Sequence, residues 1–89
     1  MWFVLEKPIK YEFLAGCNDN GTCSEGWYCN QGKTRYGQSK QQCEKWASDT
    51  ESYGFSLSSS GWCRVCTEQD VENRIKRHDW GVYIKGKNS

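Results

Sequence analysis

The chain has 89 residues, six cysteines, a formal net charge of +1 and a mean hydropathy of −0.92. So balanced a charge argues against nucleic acid as the main partner, since phosphate affinity is built from many Lys and Arg contacts, and no run of about 18 apolar residues is present to span a bilayer. The length suits one domain, residues 1–89, whose few Leu, Ile, Val and Phe must be supplemented by five Trp, five Tyr and cysteine cross-links or a metal.

In chain order, Trp2 to Leu5 reads as a short strand. Met1 to Leu5 is apolar but too short for the core of a signal peptide, and Glu6 and Lys7 interrupt it. Two compartments stay open: a mature secreted form, or a cytosolic chain whose cysteines are reduced or metal-bound. Pro8 marks a turn or an edge. Ile9, Tyr11 and Phe13 alternate with Lys10 and Glu12, the period of a half-buried strand that pairs with 2–5 as a hairpin. Residues 16–38 are punctuated by glycines and carry no periodicity, so they read as loop supported by Cys17, Cys23 and Cys29. Asn20-Gly21 is a tight-turn signal, and Asn20 with Thr22 fits a glycosylation sequon.

Ser39 and Gln42 fit a capping box that opens a helix to Ser52. Cys43, Trp46, Ala47 and Thr50 form one inward stripe, and Gly54 is the expected stop. Phe55 and Leu57 alternate, 58–61 is a polar turn, and 62–66 is extended. Thr67 with Asp70 caps a second helix from Glu68 to about His78, with Val71 and Ile75 inward. Gly81 breaks it, and Val82 and Ile84 alternate with Tyr83 and Lys85 as a last strand. The expected fold is α+β: a small disulfide-rich domain of two helices on a short antiparallel sheet, with a cysteine-rich loop region and both chain ends in the sheet.

Cys17, Cys23 and Cys29 are spaced C-x5-C-x5-C, and Gly26 and Tyr28 precede the third. This run resembles the cysteine motif of Dickkopf- and colipase-type extracellular modules over 13 of the 89 residues. Those families continue with more closely spaced cysteines, whereas here the next gaps are 13 and 19 residues. The resemblance implies disulfides and an extracellular setting, and it carries over no function.

An even cysteine count in a short, loop-rich chain points to disulfides among Cys17, Cys23, Cys29, Cys43, Cys63 and Cys66. Order alone suggests a knotted pairing of Cys17–Cys43, Cys23–Cys63 and Cys29–Cys66. The rival is zinc: Cys63 and Cys66 have ligand spacing, and Cys29 with Cys43, or His78, completes a tetrahedral set. Otherwise no cofactor is expected. Trp62-Cys63-x-x-Cys66 before a helix resembles the thioredoxin-like redox motif, but too little chain follows Cys66 for that fold.

No catalytic constellation stands out, and an enzyme is not expected. His78 reads as a surface residue. Arg74, Lys76, Arg77, Lys85 and Lys87, interleaved with Trp80 and Tyr83, make the last third the most basic part. Trp27 and Trp62 are expected in the core, and Tyr36 is divided between core and interface. The functional expectation is a secreted, monomeric, disulfide-stabilised protein that binds another protein, such as a ligand, inhibitor, toxin-like molecule or host-directed effector. Tyr28, Arg35 and Tyr36 would make the contacts from loops 18–28 and 30–38. The alternative is a cytosolic zinc-stabilised adaptor that binds protein or nucleic acid through the basic third.

Overall fold

Period-two alternation around Tyr11, Phe55, Val65 and Tyr83 produces a five-stranded antiparallel sheet in a computed structural model that describes residues 9–17 and 25–86. The elements in order are β1 (Tyr11–Gly16), β2 (Trp27–Tyr28), β3 (Lys33–Arg35), α1 (Lys40–Asp49), β4 (Gly54–Ser58), β5 (Cys63–Cys66), α2 (Glu68–Glu72), β6 (Ile75–Lys76) and β7 (Trp80–Lys85). The large sheet runs β1-β7-β4-β5-β3, and β2 pairs with β6 as a separate ribbon. The first and last described strands, β1 and β7, are neighbours, with Tyr11 opposite Lys85. The expected strand at 2–5, the Asn20 turn and sequon, and Cys23 lie outside the described residues.

The capping boxes form at both helices. Ser39 accepts from the Gln42 amide while the Gln42 side chain accepts from the Ser39 amide, and Thr67 and Asp70 do the same. The first helix stops earlier than Gly54. Glu51 takes a left-handed φ of 54°, its N–H donates to Ser48 O, and the Ser52 N–H donates to Ala47 O. This is a Schellman close made without glycine. Gly54 instead lies within β4, where a Cβ would sit 2.4 Å from Tyr83 O.

The second helix is five residues long, not eleven. A helix running to His78 would leave one residue to reverse the chain into β7 at Trp80. The chain leaves the helix at Asn73, and Ile75 and Lys76 pair with Tyr28 and Trp27. Ile75, expected inward, is 42% exposed. Strand pairing has overridden helix propensity here. The region read as loop therefore holds two short strands, β2 and β3. Gly81 is not a helix breaker but the crossing point of two backbones: a Cβ there would lie 1.9 Å from Cys17 O.

Each face of the sheet buries its own cluster. On one, Cys43 and Ala47 of α1 pack on Phe55, Cys63 and Tyr83, with Tyr11, Trp46, Leu57 and Val65 around them. Phe55 stacks on Tyr83 at 4.9 Å, and Tyr11 meets Phe55 edge-on at 5.2 Å. On the other face lie Cys29, Cys66, Val71 and Val82, flanked by Trp27, Tyr53 and Ile84. Ring area does the work that aliphatic chains do elsewhere.

A disulfide lies in each cluster: Cys43–Cys63 joins α1 to β5, and Cys29–Cys66 joins the segment after β2 to β5. Cys17 is also disulfide-bonded. The Cys29–Cys66 pair agrees with the knotted order, but Cys43–Cys63 replaces the expected Cys17–Cys43 and Cys23–Cys63. Zinc ligation by Cys29, Cys43, Cys63 and Cys66 is overturned for the same reason: Cys63 and Cys66 sit three apart on a strand, so their sulfurs emerge on opposite faces. Buried Ser56 supports the second bridge. Its Oγ accepts from the Cys29 N–H at 2.9 Å and lies 3.0 Å from Cys29 Sγ, which as a disulfide sulfur can only accept.

Two outcomes follow from this packing. Replacing Cys43 and Cys63 together by Ala opens a loop 20 residues apart in sequence, and chemical denaturation should show a loss of roughly 3 kcal/mol. Tyr11 donates its hydroxyl to Ser52 O at 2.7 Å, and burial, aided by the Glu44 carboxylate, pushes its phenol up to about 12. The fold favours the neutral phenol, so this stability is whole below about pH 10 and is lost as pH rises through about 12. Tyr11→Phe lacks that loss. A wild-type-minus-variant stability difference that stays constant from pH 9 to 12 would refute the assignment.

Candidate functional site

Two loops meet at one end of the sheet. Gly37, at φ 79°, turns the chain after β3, and Gly61, at φ 97°, turns it before β5. The Gln38 N–H donates to Gly61 O at 2.9 Å and ties them together. Across this tie Tyr36 packs against Trp62, ring centres 4.7 Å apart and tilted by 55°. Tyr36 is 64% and Trp62 42% exposed. Trp62, expected in the core, is thus a surface residue. The next residue, Cys63, takes the inward position on the α1 face, so the strand period turns Trp62 away from it. The Trp62 backbone N–H is held by Ser58 Oγ at 2.9 Å. Arg35 stands opposite Cys63 in register and lays its guanidinium over Trp46, 4.0 Å from the ring centre.

The opposite face carries a groove of about 750 Å³ that begins at Trp62 and runs to the turn before β7. Its fixed point is Arg64 of β5. Nη1 donates to Cys29 O at 2.8 Å, Nε donates to Thr34 Oγ1 at 3.1 Å, and the guanidinium lies 4.6 Å above the centre of the Tyr28 ring. Tyr28 in turn packs 5.1 Å from Trp80. Arg77 approaches the same tyrosine at 5.9 Å, and its N–H is bonded to Gly26 O. Lys76 adds a further cation to this wall, and His78 lies beside it. Asp79 is the carboxylate of the groove: its Oδ2 is 3.2 Å from His78 Nε2, and its buried Oδ1 has no hydrogen-bond partner among the described residues. Among the described residues Arg64, Lys76 and Arg77 form no ion pair. A second depression, also about 750 Å³, lies beside Trp46 and Arg35, but Glu51, Glu68 and Asp70 make its rim mixed in charge.

The structure does not gather Tyr28, Arg35 and Tyr36 into one patch. Arg35 faces α1, Tyr36 is at the tip, and Tyr28 is half-buried under Arg64 on the far face. The basic third is divided as well. Arg74 and Lys76 lie over Trp27 and Arg77 reaches Tyr28, while Tyr83 is in the core on the α1 side. Lys87 lies outside the described residues. Sequence reading missed Arg64 and the pairing of Trp62 with Tyr36. Both depend on strands brought side by side from distant parts of the chain, and the only local signal was a pair of glycines flanking exposed aromatics. No helix among the described residues is long and apolar enough to cross a membrane.

Comparison with known protein families finds no match to this chain, and no curated protein or solved structure matches it.

Because Arg64 bonds a backbone carbonyl and a hydroxyl at once, Arg64→Ala should cost about 1–3 kcal/mol in a denaturant titration. Exposed Arg77, whose side chain makes no such bond, should change stability by less than about 0.5 kcal/mol on Arg77→Ala. Equal losses in the two variants would show that Arg64 does not hold the 29–34 segment in place.

Proposed function

We propose that this chain is a secreted, disulfide-stabilised, monomeric protein that acts by binding another protein, with the Tyr36–Trp62 tip at the centre of the contact. The observation that carries the reading is that aromatic pair: two large rings exposed together, on loops tied to each other and rooted in β3 and its neighbour β5, which is cross-linked to the core. Binding interfaces concentrate their energy in such aromatic anchors. Anchors that are already ordered lose little conformational freedom on association. Arg35, spread over Trp46 beside the tip, adds a cation able to pair with a carboxylate on the partner. Tyr28, half-buried under Arg64 on the far face, stands outside this contact. The disulfides favour an oxidising compartment. The cytosolic zinc adaptor is not favoured, since four of its cysteines are spent in bridges.

The test has two arms. Native protein isolated under thiol-blocking conditions should carry no free thiol; reactive thiols in the folded material would remove the secreted reading. For the tip, surface-exposed proteins cross-linked to the wild-type chain should be recovered with an affinity that falls roughly tenfold or more in Tyr36→Ala and in Trp62→Ala. Thermal midpoints of both variants should stay close to wild type. A partner that binds all three forms equally would exclude the tip.

A further inference from the structure

We infer that the groove between Arg64 and Arg77, which adjoins the tip at Trp62, is a binding site for a sulfated saccharide. Charge comes first. Arg64 stands on β5, and Lys76 and Arg77 lie on and after β6, so cations line both sides of one channel and no ion pair neutralises them among the described residues. Such an arrangement suits a chain bearing anionic groups at intervals rather than a single ion. Arg64 is also immobilised by two hydrogen bonds and a ring, so it can receive an oxyanion without first losing its own rotamer freedom.

The remaining lining selects among polyanions. Thr34 and Ser60 place hydroxyls in the channel, and Asp79 adds an acceptor carboxylate. Hydroxyls and a carboxylate complement the many O–H donors of a sugar. Asp79 repels the anionic groups of any polyanion, so it favours a ligand whose charged groups alternate with hydroxyls that can donate to it. Base stacking is poorly served. Trp80 is 8% exposed and Tyr28 lies between Arg64 and Trp80, so the only open ring face is that of Trp62 at the mouth of the groove, too little for successive bases to stack. The volume of about 750 Å³ falls within the range that encloses small ligands, enough for a few linked sugars.

The measurement is calorimetric titration of the full chain at low salt with a heparin-derived hexasaccharide, a neutral maltohexaose and a single-stranded oligothymidine. The expected result is binding of the sulfated sugar alone, weakening as salt rises, and weakened roughly fivefold or more by Arg77→Ala. Lys45→Ala, which removes an exposed lysine paired with Asp49 on α1, should leave it unchanged. Arg64→Lys, which keeps the charge but not the fork, should weaken it too, with near-ultraviolet circular dichroism confirming the fold. The inference is overturned by no binding, by equal binding of either control ligand, or by equal losses in the Lys45 and Arg77 variants. Because Trp62 lines the groove as well as the tip, the tip is judged separately by Tyr36→Ala, which leaves the groove lining intact.

Discussion

The four-residue strand β5 is the constraint on which the rest of the molecule depends. It carries Cys63 and Cys66, and an odd spacing on a strand sends their side chains through opposite faces of the sheet. One bridge holds α1 against the aromatic face. The other holds the segment after β2 against the far face. A single strand thus clamps three layers. Two such bridges contribute roughly 6–8 kcal/mol between them, comparable with the whole net stability of a small domain. That makes a core with so few aliphatic residues workable.

Between the clamps, polar groups are placed where a backbone group needs them. Ser56 is fully buried in the middle of β4, yet its hydroxyl is engaged with the Cys29 amide and its sulfur. Tyr11 reaches across the aromatic face to the carbonyl of Ser52, linking β1 to the end of α1. Arginines and lysines lie over rings at several points, Arg35 on Trp46 and Arg64 on Tyr28 among them. In these contacts the charged group itself lies over the ring face and is attracted to its quadrupole.

The two faces divide the proposed work. Rigid turns at Gly37 and Gly61 present an aromatic knob at the sheet end, and the ribbon β2–β6 walls off a cationic channel behind it. Both features derive their order from the same strand, since Trp62 immediately precedes β5 and Arg64 lies within it. Preorganised binding groups of this kind lose little entropy when a ligand arrives.

Local chemistry was legible from the residues themselves. The capping boxes at Ser39 and Thr67, the inward Cys43 and Ala47, and the alternation at Phe55, Leu57, Val82 and Ile84 each depend on neighbours a few positions away, and an α+β, disulfide-linked chain follows from them. Tertiary structure decided everything that needed a distant partner. Strands of two or three residues, such as β2, β3 and β6, are too short to show a period and exist only because another strand lies alongside. The same pairing cut the second helix to five residues and moved Ile75 outward. Which cysteines meet depends on the face each occupies, and Arg64 becomes a binding group only where Cys29, Thr34 and Tyr28 converge on it. Hydrogen bonding along the chain is a short-range property, while sheet register and sulfur pairing belong to the assembled fold.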